Sequence, residues 1–232
     1  MSIEKNDMMT KRIYTLLILS MLGIGMYAQR LSVSVLGDSY STFEGFMTPT
    51  SNELWYYCKT RNNTDVTEVT QTWWWQAIKE SGWKLEINNS YSGATIGYHG
   101  YSGNDYSARS FITRMDNIGR PDIILIFGGT NDSWAGEKVG DYKWGDWTYG
   151  DFYTYRPAMA YMLNYLQLHH PNVSIYFIIN DGLRDDITES SKVVCDHYGV
   201  PYIMLKDIDK QNGHPTIKGM RQIADQVKAV VK

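Results

Sequence analysis

Val33-Ser34-Val35-Leu36-Gly37-Asp38-Ser39-Tyr40-Ser41 is the stretch from which the rest of this chain can be read. It is a short, mostly apolar run that stops at a glycine and is followed at once by an acid and a serine. A strand ending this way presents a hydroxyl on a tight turn at the edge of a sheet, where backbone amides also point toward whatever binds. Gly-Asp-Ser alone is a weak signal. Its meaning comes from what stands downstream.

Strand candidates recur with helical segments between them. Leu31 to Leu36 is the first, Lys84 to Asn89 the second, Asp122 to Phe127 the third, Val173 to Ile179 the fourth and Tyr202 to Leu205 the fifth. The third and fourth are almost continuously apolar, as strands covered on both faces should be; the second alternates, as at an edge. Helices are expected over WWWQAIKES, capped by Thr72 and ended by Gly82, and over Asp105 to Asn117. Others are expected within Asp151 to His170, with Pro157 near its start, over Asp185 to Tyr198, and from about Thr216 to the C-terminus. In the last, Ile217, Met220, Ala224, Val227 and Val231 form one stripe. The alternation predicts a three-layer α/β/α domain around a five-stranded parallel sheet, with the order 2-1-3-4-5 placing the polar second strand at the edge. Ligands then bind beyond the C-terminal ends of the strands.

Composition sets the outer bounds. The chain has 232 residues, of which 43% are hydrophobic and 20% charged, enough for one domain with a sizeable core. A net charge of -3 and the lack of a basic stretch interleaved with aromatics argue against nucleic acid as a partner. Lys5, Lys11 and Arg12 lead into the apolar run Ile13 to Ala28, which reads as a secretory signal peptide over residues 1–28. The single domain then spans residues 29–232, exported and without membrane attachment after signal removal; an uncleaved N-terminal anchor is the alternative. Cys58 and Cys195 are either one disulfide or two thiols packed as small apolar groups. No zinc motif, P-loop or GxGxxG is present, so neither a metal nor a cofactor is implied.

Four post-strand loops share the predicted rim. They carry Gly37-Asp38-Ser39, Asn89-Ser90-Tyr91-Ser92-Gly93-Ala94-Thr95, Gly128-Gly129-Thr130-Asn131-Asp132, and Gly213-His214-Pro215-Thr216. A serine hydroxyl needs a base to take its proton, and imidazole has a suitable pKa. A tetrahedral oxyanion needs fixed donors, which the N–H groups of Ser39 and Gly93 and the side-chain amide of Asn131 could supply. One such donor is worth roughly 3–4 kcal/mol of transition-state stabilisation.

These four blocks, in this order and over nearly all of the mature chain, resemble the SGNH (GDSL) hydrolases. The resemblance implies a flavodoxin-like fold and ester hydrolysis through a serine acyl-enzyme. It implies Ser39 as nucleophile, His214 as base, and Ser39, Gly93 and Asn131 as the oxyanion hole. The family's aspartate three residues before the histidine is replaced here by Gln211. Either Asp209 orients the imidazole across an insertion, or a backbone carbonyl does so in a Ser–His dyad.

Other polar residues have plainer readings. Asp38 and Asp132 read as acids that brace their loops through local amides. His169 and His170 read as the close of a helix, and neighbours on a helix point in different directions, which argues against a metal pair. His99 follows the oxyanion glycine and is either a surface residue or a substrate contact. Between Trp134 and Tyr155 lies an aromatic-rich insertion. Its Trp134, Trp144 and Trp147 are candidates to wall the cleft and stack on sugar rings, against the commoner fate of packing the loop onto the body. Together with export, this points to small acyl esters, acetyl groups on carbohydrate foremost. A lysophospholipase or thioesterase, or a carbohydrate-binding protein without turnover, are the alternatives.

Overall fold

The computed structural model describes residues 30–56 and 64–232. The expected signal segment and Cys58 lie outside the described residues; Cys195 is a buried free thiol.

Five strands form one parallel sheet: β1 (Ser32–Gly37), β2 (Lys84–Ser90), β3 (Ile123–Phe127), β4 (Ser174–Ile179) and β5 (Tyr202–Met204). Their order is β2-β1-β3-β4-β5, the order expected from the sequence. β3 is buried throughout, and its side chains divide by parity. Ile124 and Ile126 enter one core layer, while Ile123, Leu125 and Phe127 enter the other. Each such side chain contributes roughly 1.5–3 kcal/mol of hydrophobic stabilisation, which is why the strand carries no polar residue.

Helices cover both faces. α1 (Trp73–Glu80) lies over one face with α6 (Ile217–Val230), burying Trp73, Trp74, Ala77, Ile78, Met220 and Ala224. α2 (Phe111–Arg114), α4 (Tyr155–His169) and α5 (Asp185–Tyr198) cover the other through Phe111, Met159, Met162, Leu163, Leu166 and Ile187. α3 (Thr130–Trp134) is a short turn directly after β3.

Several helix boundaries differ from expectation. The helix predicted over Asp105 to Asn117 shrinks to α2. Asp105 accepts the Ser107 N–H at 2.7 Å in a turn, and only at Ser110, whose hydroxyl accepts the Thr113 N–H, is there a cap. Thr72 stands at the start of α1, but its hydroxyl donates to the Val69 carbonyl at 2.7 Å instead of capping the helix. Residues Tyr149–Tyr153 form a 3-10 turn, so α4 begins only at Tyr155, with Pro157 in its first turn where no amide is required. Ile217 opens α6 at 37% exposure instead of joining the buried stripe.

The register is what builds the site. Gly37 pairs with Ser90 on one side and Phe127 on the other, so β1, β2 and β3 end level. Three of the four loops therefore leave the sheet side by side.

Candidate active site

After β1 the chain turns immediately into a 3-10 turn, Ser39–Ser41. Asp38 accepts the Tyr40 N–H at 2.9 Å, and the Thr42 hydroxyl donates to the Ser39 carbonyl at 3.0 Å, so both ends of the turn are tied. Ser39 is 2% exposed, and its Oγ lies 2.9 Å from Nε2 of His214.

His214 reaches that position from a hairpin. β6 (Lys210–Gln211) and β7 (His214–Pro215) pair antiparallel, with Gln211 opposite His214. The two connecting residues, Asn212 and Gly213, have φ of 52° and 77°, the left-handed pair that a type I′ turn requires and that Asn-Gly supplies. Nδ1 of His214 faces the Asn212 carbonyl at 3.2 Å. With its proton on Nδ1 and donated there, the imidazole presents the Nε2 lone pair to Ser39. Tyr40 donates its hydroxyl to the Gly213 carbonyl, and Tyr56 donates to the Pro215 carbonyl at 2.7 Å, which fixes the hairpin against the body.

Asp209, the carboxylate expected at the imidazole, is engaged elsewhere. It accepts the Thr216 hydroxyl and lies 4.0 Å from Lys218 Nζ, while its own N–H donates to Gln222 at 2.8 Å. The hairpin explains the difference: residues 210–215 are consumed by antiparallel pairing, which leaves Asp209 at the base of α6. The backbone alternative is the one this geometry matches.

The second and third loops are bound to each other. Gly93 has φ +79°, a conformation that favours glycine, and its neighbour Ala94 accepts Asn131 Nδ2 at 2.9 Å. Asp132 accepts the Ile96 N–H at 2.8 Å; that amide lies just past the second loop, so Asp132 ties its loop to that one instead of bracing it through a local amide. Tyr101 donates its hydroxyl to Asn131 Oδ1 at 2.8 Å. An amide nitrogen carries two hydrogens, and the Ala94 carbonyl takes one. The fixed carboxamide can offer the other to a ligand.

Charge is buried beneath this rim. Desolvation pushes the Asp38 carboxyl up to about 7 and the Arg114 guanidinium down to about 9. Arg114 donates to the carbonyls of Gly37 at 3.1 Å, Arg109 at 2.7 Å and Asn89, thereby bracing the ends of β1 and β2. Asp132 and Glu137 are also buried, and desolvation together with their mutual repulsion raises Glu137 well above the usual carboxylate range.

The three candidate tryptophans separate. Trp134 is 44% exposed and lies edge-on to His214 at 5.7 Å between ring centroids. Trp144 instead stacks on His197 at 3.8 Å, at the far end of α5, and Trp147 packs on Tyr161 of α4 while donating Nε1 to the Lys143 carbonyl. Both pack the insertion onto the body. His99 pairs with Asp105 in an isolated bridge, and His169 stacks on Tyr165 in the last turn of α4. Sequence reasoning missed Trp55, whose ring lies on that of His214, as well as Tyr101 and Arg114. The Asn-Gly pair was the one local signal that could have revealed the hairpin.

The comparisons with known proteins bear on the family and the fold. The family described as GDSL-like Lipase/Acylhydrolase matches residues 31–231. A GDSL-like lipase candidate from Bacteroides ovatus is 56% identical, with a TM-score of 0.85 over 87% of this chain and 97% of its own. One from Bacteroides uniformis is 50% identical, with a TM-score of 0.88 over 89% and 98%. An active-site mutant of a family two carbohydrate esterase from Clostridium thermocellum shares the fold at 14% identity, with a TM-score of 0.55 over 87% of this chain and 63% of its own. No curated protein matches. With its sheet order, its level loop rim and a match over residues 31–231, this chain belongs to the GDSL-like lipase/acylhydrolase family.

Proposed function

We propose that this chain is an exported serine esterase that removes small acyl groups, acetyl foremost, from carbohydrate. The observation that carries the chemistry is the 2.9 Å approach of Ser39 Oγ to His214 Nε2. In this reading Ser39 attacks the ester carbonyl while His214 takes its proton. The tetrahedral oxyanion is held by the N–H groups of Ser39 and Gly93 and by Asn131 Nδ2. The imidazolium then protonates the departing alcohol, and water repeats the cycle on the acyl-enzyme. The Asn212 carbonyl keeps the imidazole in its working tautomer, the task an aspartate performs in a triad.

Trp134 offers a half-exposed aromatic face beside the imidazole, a surface suited to a sugar ring. The fold is shared with a carbohydrate esterase, and the basic and apolar start of the sequence supports export. The test is hydrolysis of p-nitrophenyl esters of increasing acyl length, followed by acetate release from acetylated glycans, with Ser39→Ala alongside. Turnover that declines with acyl length and vanishes in the variant is expected. Preference for long acyl chains would move the reading to lipids, and equal rates in the variant would refute Ser39 as nucleophile.

A further inference from the structure

Trp55 belongs to none of the four loops, yet it makes the closest ring contact with the imidazole. Its ring lies on that of His214 with centroids 3.5 Å apart and planes 8° from parallel. Tyr40 and Trp134 meet the same imidazole only at an angle, at 5.2 and 5.7 Å.

The backbone beneath Trp55 is fixed on both sides. The Thr42 hydroxyl accepts the Trp55 N–H at 2.9 Å while donating to the Ser39 carbonyl at 3.0 Å. Upstream, Asn52 Nδ2 donates to Asn89 Oδ1 and to the Ser90 carbonyl, both at 3.0 Å, and the Ser92 N–H donates to the Glu53 carbonyl at 2.9 Å. One hydroxyl thus ties the nucleophile's turn to the segment whose ring covers the base. Ser39, Thr42, Trp55 and His214 form a closed circuit of contacts.

We infer that Trp55 is a positioning residue for His214, holding the plane of the imidazole toward Ser39 and stabilising the imidazolium that forms in each transition state. The contacts of Nδ1 with the Asn212 carbonyl and of Nε2 with Ser39 Oγ anchor two ring atoms, and hydrogen bonds made at the ring edge resist tilting of the ring plane only weakly. A stacked indole adds that restraint. When Nε2 takes the serine proton, the new cation lies against the face of an indole, the strongest cation–π partner among side chains. The inference deepens the esterase reading above and rests on it.

The experiment compares kcat and KM for p-nitrophenyl acetate in wild type, Trp55→Leu and Trp55→Phe. The leucine variant is expected to lose about 3- to 30-fold in kcat. Its KM should stay within about twofold, since the lost interaction is made in the transition state. The phenylalanine variant keeps an aromatic face and should lie within about threefold of wild type. In NMR spectra, the ring-current shift of the His214 ring protons should shrink markedly in Trp55→Leu, where only the more distant Tyr40, Tyr56 and Trp134 rings contribute, and be largely kept in Trp55→Phe. If Trp55→Leu does not fold, Trp55→Met fills the space without a π face and takes its place. Equal kcat in the leucine or methionine variant, a change in KM alone, or an equal loss in Trp55→Phe would overturn the inference. Those outcomes leave the esterase reading standing; a wild type that does not turn over the ester would remove both.

Discussion

Tyr101 donates its hydroxyl to Oδ1 of Asn131 at 2.8 Å, and in doing so decides which end of that carboxamide faces the Gly93 loop. With Oδ1 occupied and Nδ2 held to Ala94, the amide cannot flip without breaking both bonds. Tyr101→Phe is therefore expected to lower kcat/KM for a small ester by about tenfold, the equivalent of one hydrogen bond of ordinary strength. Thermal unfolding should change little, because the hydroxyl sits in a partly buried rim. Steady-state kinetics beside a melting curve checks both halves.

At Asp209 little change is expected. Its carboxylate serves Thr216 and faces Lys218, whereas the Asn212 carbonyl faces Nδ1 of His214. Asp209→Asn keeps an acceptor for Thr216, so kcat should remain within about threefold of wild type, far from the ~10⁴-fold loss seen when a true triad acid is neutralised. A loss of that larger size would return Asp209 to the imidazole.

The buried Asp38 carboxyl makes part of the stability depend on pH. Desolvation raises its pKa from the ordinary 3.8 to about 7 in the folded protein. Between those values the folded state binds more protons than the unfolded one, so stability falls as pH rises. The contribution is complete below about pH 4 and is gone above about pH 7, a span worth roughly 4 kcal/mol at most. Asp38→Asn cannot titrate. Urea unfolding from pH 4 to pH 8 should show the wild type losing ground to this variant across that window, and parallel curves would refute the assignment.

Much of the fold is legible in the sequence because it rests on local pattern. The uninterrupted apolar run Ile123–Phe127 marks an interior strand and the alternating second strand an edge, which are the places they hold in the sheet, and the sheet then brings the loops together. Where pattern is absent, sequence reading fails for identifiable reasons. The stretch from Asp105 has helical composition, yet Asp105 turns back on Ser107, and the true cap lies at Ser110. Trp144 and Trp147 look like cleft residues because they follow Asn131 in sequence, but their partners His197 and Tyr161 are set by helix packing. Trp55 and Tyr101 lie outside the regular helices and strands and their partners are distant in sequence, so no local period announces them.

The most direct test of the Ser39–His214 assignment is intact-mass and peptide mass spectrometry of the protein quenched during turnover of p-nitrophenyl acetate. One added acetyl group is expected, located on the peptide carrying Ser39, and none in Ser39→Ala. Continued turnover with no acetyl on Ser39, or an acetyl on another residue at full rate, would contradict it.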